Sequence, residues 1–279
     1  MTDTFYPSFL KLAQTIIRRG SIMSRSVERA LSILALFSRE KQEWGITEIS
    51  QEVQLPKSTV HGLVKTLEKE NFLYLGENGK YRLGVKVFEL GMAYSGNIKL
   101  TTAAEPVVRQ LVDRYKQTVH VAIYAGRMAI LVVSTRSGGS GVMAPRVGAG
   151  IPAYCTGVGK VLLAWQTPQV IEEYLQNEPL MPITKNTITD IERFKQELNN
   201  IRQQGYAIDR GEALLETGCV AAPIFGANGE IVAAISVSGP REEVVNENTL
   251  AACQADVLHA AQMISAVLGY REKNQLGYY

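Results

Sequence analysis

Hydrophobic positions follow two rhythms along the chain. Up to about residue 70 they recur every three or four residues. Val27, Ala30, Leu31, Leu34 and Phe37 mark one apolar face of a helix from about Ser26 to Ser38, and the polar stretch Arg39 to Gly45 breaks it. Ile49 and Val53 belong to a short second helix that Thr47 can cap. Leu55-Pro56 then marks a tight turn, because proline suits the first position of a new helix. In the third helix Val60, Leu63, Val64 and Leu67 fall at i, i+3, i+4 and i+7, one buried stripe. Tyr74-Leu75 and Tyr81-Arg82-Leu83 flank Gly76 to Lys80, and the Asn78-Gly79 pair between them is a strong hairpin signal. Three helices and a hairpin predict a winged helix-turn-helix.

The second rhythm mixes strand-like runs with helical blocks. Val85 to Ile98 reads as a connecting helix and a plausible dimer surface, and Thr101 to Tyr115 as a further helix with Pro106 near its start. Strand-like runs follow at Val119 to Tyr124, Ala129 to Thr135 and Val142 to Val147. Helices are expected at about Gly157 to Gln166, Pro168 to Gln176 and Asp190 to Gln204. Tyr206 to Asp209, Cys219 to Phe225 and Ile231 to Ser238 complete the strands, with Asn228-Gly229 turning between the last two, and a long helix from about Glu243 to Leu268 ends the domain. Hairpins and helix blocks without regular βαβ units predict an antiparallel sheet flanked by helices. The fold class is therefore two-domain α+β: an extension at 1–23, a winged helix-turn-helix domain at 24–86, a linker helix at 87–100 and an antiparallel sheet flanked by helices at 101–270. In the extension the apolar residues Phe5 to Ile17 precede Arg18-Arg19, the reverse of a signal peptide. Either this is an amphipathic arm or translation starts at Met23, and the position of Met23 just before the first patterned helix favours the second.

Composition adds constraints. Of 279 residues, 46% are hydrophobic and 20% charged, values of an ordinary globular protein, and the net charge is only +2. Residues 24–100 hold 11 Lys/Arg against 9 Asp/Glu and residues 101–279 hold 15 against 17, so a nucleic-acid contact depends on a few placed cations and not on a general basic field. Cys155, Cys219 and Cys253 lie far apart without metal-ligand spacing, which argues against a zinc site and a disulfide framework and for a reducing cytoplasm. No apolar run approaches the ~18 residues of a membrane span, and no cofactor motif is complete.

Two constellations carry candidate chemistry. On the third helix Ser58, Thr59, His61 and Lys65 fall away from the apolar stripe. With Lys57 they form a polar face near the helix start, where a recognition helix enters the major groove, while Lys80 and Arg82 on the wing suit phosphate. Further on, the glycine-led segment Ile151 to Ala164 opens a helix whose first amides favour an anion. Its glycines equally allow close helix packing. Ser236 and Ser238 share one face of a strand, and Cys219 and Asp209 stand on neighbouring strands. These groups suit a small polar metabolite. An enzymatic reading would make Cys219 a nucleophile with His120 or His259 as its base, but nothing in the sequence orients either histidine toward it, so no catalytic residue is expected.

The segments SVERALSILALF, ITEISQEVQLPKSTVHGLVKTLEKENFL, YRLGVKVFELG, IPAYCTGVGKVLLA, GYAIDRGE, GCVAAPIF and ISVSGP stand in the order seen in the IclR family of bacterial transcriptional regulators, which this chain resembles from Ser24 to Gly269. The resemblance implies a winged helix-turn-helix joined by a helix to a GAF-like effector-binding domain, in dimers or dimers of dimers on double-stranded operator DNA. It also implies a small-molecule pocket at Met143, Ile151, Gly157, Val158, Asp209, Cys219, Ser236 and Ser238. The effector expected there is a small organic acid or sugar acid. Tyr154-Cys155-Thr156 departs from the His-Ala-Thr or His-Ala-Ser of many relatives, and the 22-residue lead has no counterpart.

Overall fold

The computed structural model describes residues 24–38, 41–93, 96–136, 145–177 and 179–271, and the chain divides after Ser95 into two compact units. The first contains α1 (Arg25–Leu34), α2 (Ile46–Glu52), α3 (Lys57–Lys69), a hairpin of β1 (Leu73–Leu75) and β2 (Tyr81–Leu83), and α4 (Val85–Ala93). The stripe on α3 is inward as its spacing requires: Val60, Val64 and Leu67 join Ile33, Leu36, Ile49, Leu73 and Tyr81 in the core. Trp44 completes it. Its backbone pairs with Tyr81 and its indole N–H donates to the Leu36 carbonyl at 3.1 Å.

Three local expectations change. The apolar face assigned to the first helix is only partly the buried one: Ala30, Leu34 and Phe37 pack against the core, but Ile33 and Leu36 fill it, while Val27 and Leu31 are 57% and 60% exposed. Thr47 lies inside α2. Gly45 is the capping position, and Glu48, one turn on, accepts its amide at 2.8 Å. Pro56 likewise sits just before α3, not in it. Gln54, in the turn between α2 and α3, has φ of 53°, the left-handed conformation a tight turn demands.

The second unit begins with α5 (Gly96–Tyr115), five residues earlier than its apolar pattern suggested. Strands β3 (Thr118–Ala125), β4 (Met128–Thr135), β5 (Gly150–Pro152), β6 (Ala207–Asp209), β7 (Thr217–Phe225) and β8 (Ile231–Pro240) form one sheet in the order β5-β4-β3-β8-β7-β6, antiparallel at every pairing. Helices α6 (Gly157–Ala164), α7 (Pro168–Asn177) and α8 (Ile191–Gln204) cover one face; α5 and α10 (Leu250–Val267) cover the other. Alternation along the strands divides the core between them. Val119, Val121, Ile235 and Val237 face α5 and α10, whereas Ala122, Ala234, Cys219 and Ala221 face α6.

The third strand is Gly150–Pro152. Of the expected Val142 to Val147 strand, residues 142–144 lie outside the described residues and 145–147 are not extended into the sheet. The long last helix is broken into α9 (Arg241–Val244) and α10, because the Asn246 side-chain oxygen accepts the amides of Asn248 and Thr249 and so competes with helical bonding. Among the described residues no helix is long and apolar enough to cross a membrane.

Candidate DNA surface and ligand pocket

On α3, Lys57, Ser58, His61 and Lys65 are exposed, while Thr59 is half-buried beside the core residue Val60. Thr66 and Lys69 extend the same surface: Lys69 follows Lys65 at four residues and Thr66 follows Thr59 at seven, a helical spacing that could have found them. Most of the expected phosphate contacts already have carboxylate partners. Lys65 pairs with Glu68 at 2.8 Å, Lys80 with Glu48 at 3.4 Å, and Arg82 with Glu43, which also accepts from Asn78. The Gly45 amide, with Lys41 and Lys80, lowers the Glu48 carboxyl to about 2, so it is ionised throughout the physiological range. Exposed pairs of this kind are worth little, so a phosphate can displace the carboxylate while the pair holds the cation in place beforehand. Lys57 has no ion pair among the described residues.

In the second unit the residues expected to line a pocket lie in rows across the sheet. Register places Thr118 beside Ser238, Ser238 beside Cys219 and Cys219 beside Asp209; the next row places Ser134 beside His120 and His120 beside Ser236. All belong to the α6 side by strand alternation. Above them begins α6. A β-carbon added at Gly157 would come within 2.7 Å of the Cys219 sulfur, so the start of the helix lies directly on this row. Gly159 answers the packing reading instead, since a β-carbon there would meet the Ala153 backbone at 2.4 Å.

Thr156 stands at the capping position of α6 but does not cap it. Its hydroxyl donates to the Pro152 carbonyl at 2.7 Å, and the amides of Gly157, Val158 and Gly159 have no hydrogen bond to a described residue. Free N–H groups at the start of a helix, here on three buried residues, carry the partial positive charge that favours an anion. Asp209 is different. One of its oxygens accepts the amides of Gly211 and Glu212 at 2.9 and 2.7 Å, holding the loop after β6, while burial raises its carboxyl above the ordinary value.

That loop meets a buried cation whose role the sequence did not reveal. Lys160, on α6, is fully buried; its ammonium contacts Glu212 at 2.5 Å, Glu197 at 2.9 Å and the Ile208 carbonyl at 3.2 Å. It ties α6 to α8 and to the edge strand β6, whose outward carbonyl it covers. The carboxylates keep Lys160 charged, and burial lifts Glu212 to about 7. Outside β6 an open cleft of about 840 Å³ is lined by Lys185, Arg193, Arg210 and Arg241 together with Glu197 and Glu212.

Ile151 lies on β5, at the opposite edge of the sheet from Asp209, and packs at the margin of the α6-side core. Val158 points its side chain into that core and leaves only its backbone for a ligand. Met143 is outside the described residues. The supposed catalytic pair is not assembled: His120 is on β3 and Cys219 on β7, with β8 between them, and burial drives the imidazole down to about 4 and the thiol upward. No cluster of three potential metal ligands occurs among the described residues.

Comparison with known proteins agrees with this architecture. The family described as IclR helix-turn-helix domain matches residues 26–75, and Bacterial transcriptional regulator IclR C-terminal matches residues 92–266. The chain is 34% identical over 247 residues to the HTH-type transcriptional regulator XynR of Escherichia coli K12, covering 88% of this chain and 98% of XynR. It is 30% identical over 249 residues to the HTH-type transcriptional repressor AllR of Salmonella typhimurium, covering 89% and 91%. The crystal structure of an IclR homolog from Microbacterium hydrocarbonoxydans, complexed with 4-hydroxybenzoate, superposes with a TM-score of 0.76 at 25% identity, covering 87% of this chain and 98% of that one. These relatives are regulators, and the two domains account for DNA binding and ligand binding. The chain belongs to the IclR family of bacterial transcriptional regulators.

Proposed function

We propose that this regulator is a cytoplasmic repressor whose operator affinity changes when a small organic acid or sugar acid binds on the α6 side of its sheet. Residues 24–86 would hold the DNA, 87–100 link the parts and 101–270 sense the effector. The observation that carries the effector class is the uncapped start of α6. Its buried amides at Gly157, Val158 and Gly159 offer an oxyanion site, and Cys219, Ser236 and Ser238 line the adjoining sheet. The 4-hydroxybenzoate bound to the Microbacterium homolog is such an acid, and AllR is named a repressor. Met143 and Ile151 would supply apolar walls, and Asp209 would accept from ligand hydroxyls with its second oxygen.

In the DNA complex Lys57, Ser58, Thr59, His61 and Lys65 face the major groove, and Lys80 and Arg82 exchange their carboxylates for phosphate. Two copies are needed, given a net charge of +2. The exposed apolar residues Val85, Phe88 and Leu90 of α4, with Val27 and Leu31 of α1, support a dimer. Binding of the acid would bias the spacing of the two recognition helices through residues 87–100.

The test selects an operator from random duplex DNA, measures its Kd by fluorescence anisotropy, and screens organic and sugar acids by thermal shift. Acids that raise Tm should also change operator Kd without being consumed. Turnover of any of them, or stabilisation with no change in Kd, would count against the proposal.

A second reading places the acid in the cleft outside β6, because Arg193, Arg210 and Arg241 line it and the α6 pocket contains no arginine. Substitution separates the two: loss of binding in Ser238→Ala favours the pocket, and loss in Arg241→Ala favours the cleft.

A further inference from the structure

We propose that His120 is an effector contact that selects acids carrying a hydroxyl at the end distant from the carboxylate. The inference rests on the α6 pocket being the effector site. His120 shares the parity of Ala122 on β3, so its ring lies on the side covered by α6, and it is only 7% exposed. Its Nδ1 has no hydrogen-bond partner among the described residues. The residues beside it in register do not supply one. The Ser134 hydroxyl donates to the Pro145 carbonyl at 2.8 Å, and Ser236, the neighbour on the other side, forms no hydrogen bond with Nδ1. A buried polar atom without a partner is uncommon enough to need a reason.

The chemistry of the selected group follows from the surroundings. Burial alone sets the state of the ring, which is neutral at physiological pH. A neutral imidazole matches an uncharged hydroxyl better than a second carboxylate, which would be desolvated without a counter-charge. Position adds the rest. His120 on β3 is two strands away from Cys219 on β7, about 10 Å across the sheet, and Cys219 marks the start of α6 where the carboxylate is placed. The hydroxyl therefore stands at the opposite end of the ligand.

The experiment titrates intact protein with benzoate and 4-hydroxybenzoate, and with hexanoate and 6-hydroxyhexanoate, by calorimetry. The wild type should bind the hydroxylated member of at least one pair about tenfold more tightly. His120→Leu should bind both members of that pair alike, with the Tm of the free protein unchanged or raised, because an unpaired polar atom is replaced by an apolar one. His120→Asn should retain part of the preference. Equal binding of both members by the wild type would overturn the inference. So would full preference in His120→Leu, or loss of both members together with a lower Tm, which marks a packing role. If the wild type binds none of the four, the pocket reading fails and this inference with it.

Discussion

The two units present functional groups in opposite ways. In the first, the candidate DNA-contacting residues are at the surface except half-buried Thr59 and Lys80, and its cations Lys65, Lys80 and Arg82 are held by half-buried carboxylates at the surface. In the second, His120, Asp209, Cys219, Ser236 and Lys160 are all buried. A surface that meets a long polyanion needs charges that exchange partners easily. A pocket for a small acid needs dipoles fixed before the ligand arrives. The same kinds of side chain should therefore respond differently to substitution: in the first unit binding changes and stability does not, while in the second the two are coupled.

The largest expected effect is at Lys160. Lys160→Met leaves Glu212, Glu197 and Asp209 without their buried cation and should destabilise the second unit by about 3 kcal/mol, read as a lowered urea midpoint. An unchanged midpoint would show that the ammonium does not hold α6, α8 and β6 together. Next in size, Lys65→Ala should weaken binding to all duplex DNA alike and reduce the slope of log K against log salt by about 1, with no loss of Tm. A sequence-selective loss would instead make Lys65 a base contact. The smallest effect is a pH dependence at Glu212. Its carboxyl, normally near 4.5, stands near 7 in the folded protein, so the folded state holds a proton that the unfolded chain releases. The stability this gives is complete below about 4.5 and is lost as pH rises through 7. Glu212→Gln should flatten the profile of Tm across that window, and an identical profile in both proteins would contradict the assignment.

The contrast between units also explains what the sequence made legible. The stripe on α3 and the Asn78-Gly79 hairpin were readable because a local period and a local turn decide them. Ser236, Ser238 and Cys219 could be gathered because strand alternation places them on one face. The break between α9 and α10 escaped because Asn246 ends a helical pattern through its side chain without disturbing the apolar spacing. Lys160 escaped for a different reason. Beside two glycines it resembled part of an anion-binding loop, yet its partners Glu197 and Glu212 lie 37 and 52 residues away, beyond any local pattern. From sequence alone His120 offers only the reading of a base for Cys219. Its isolation from that thiol, and its unpartnered Nδ1, depend on strand order.

The most direct test of the central claim, that an acid on the α6 pocket governs DNA binding, compares operator Kd with and without the stabilising acid in the wild type and in Ser238→Ala. The account predicts at least a tenfold change in the wild type, none in Ser238→Ala, and equal Kd for both proteins without the acid. An equal response in the two proteins would contradict it.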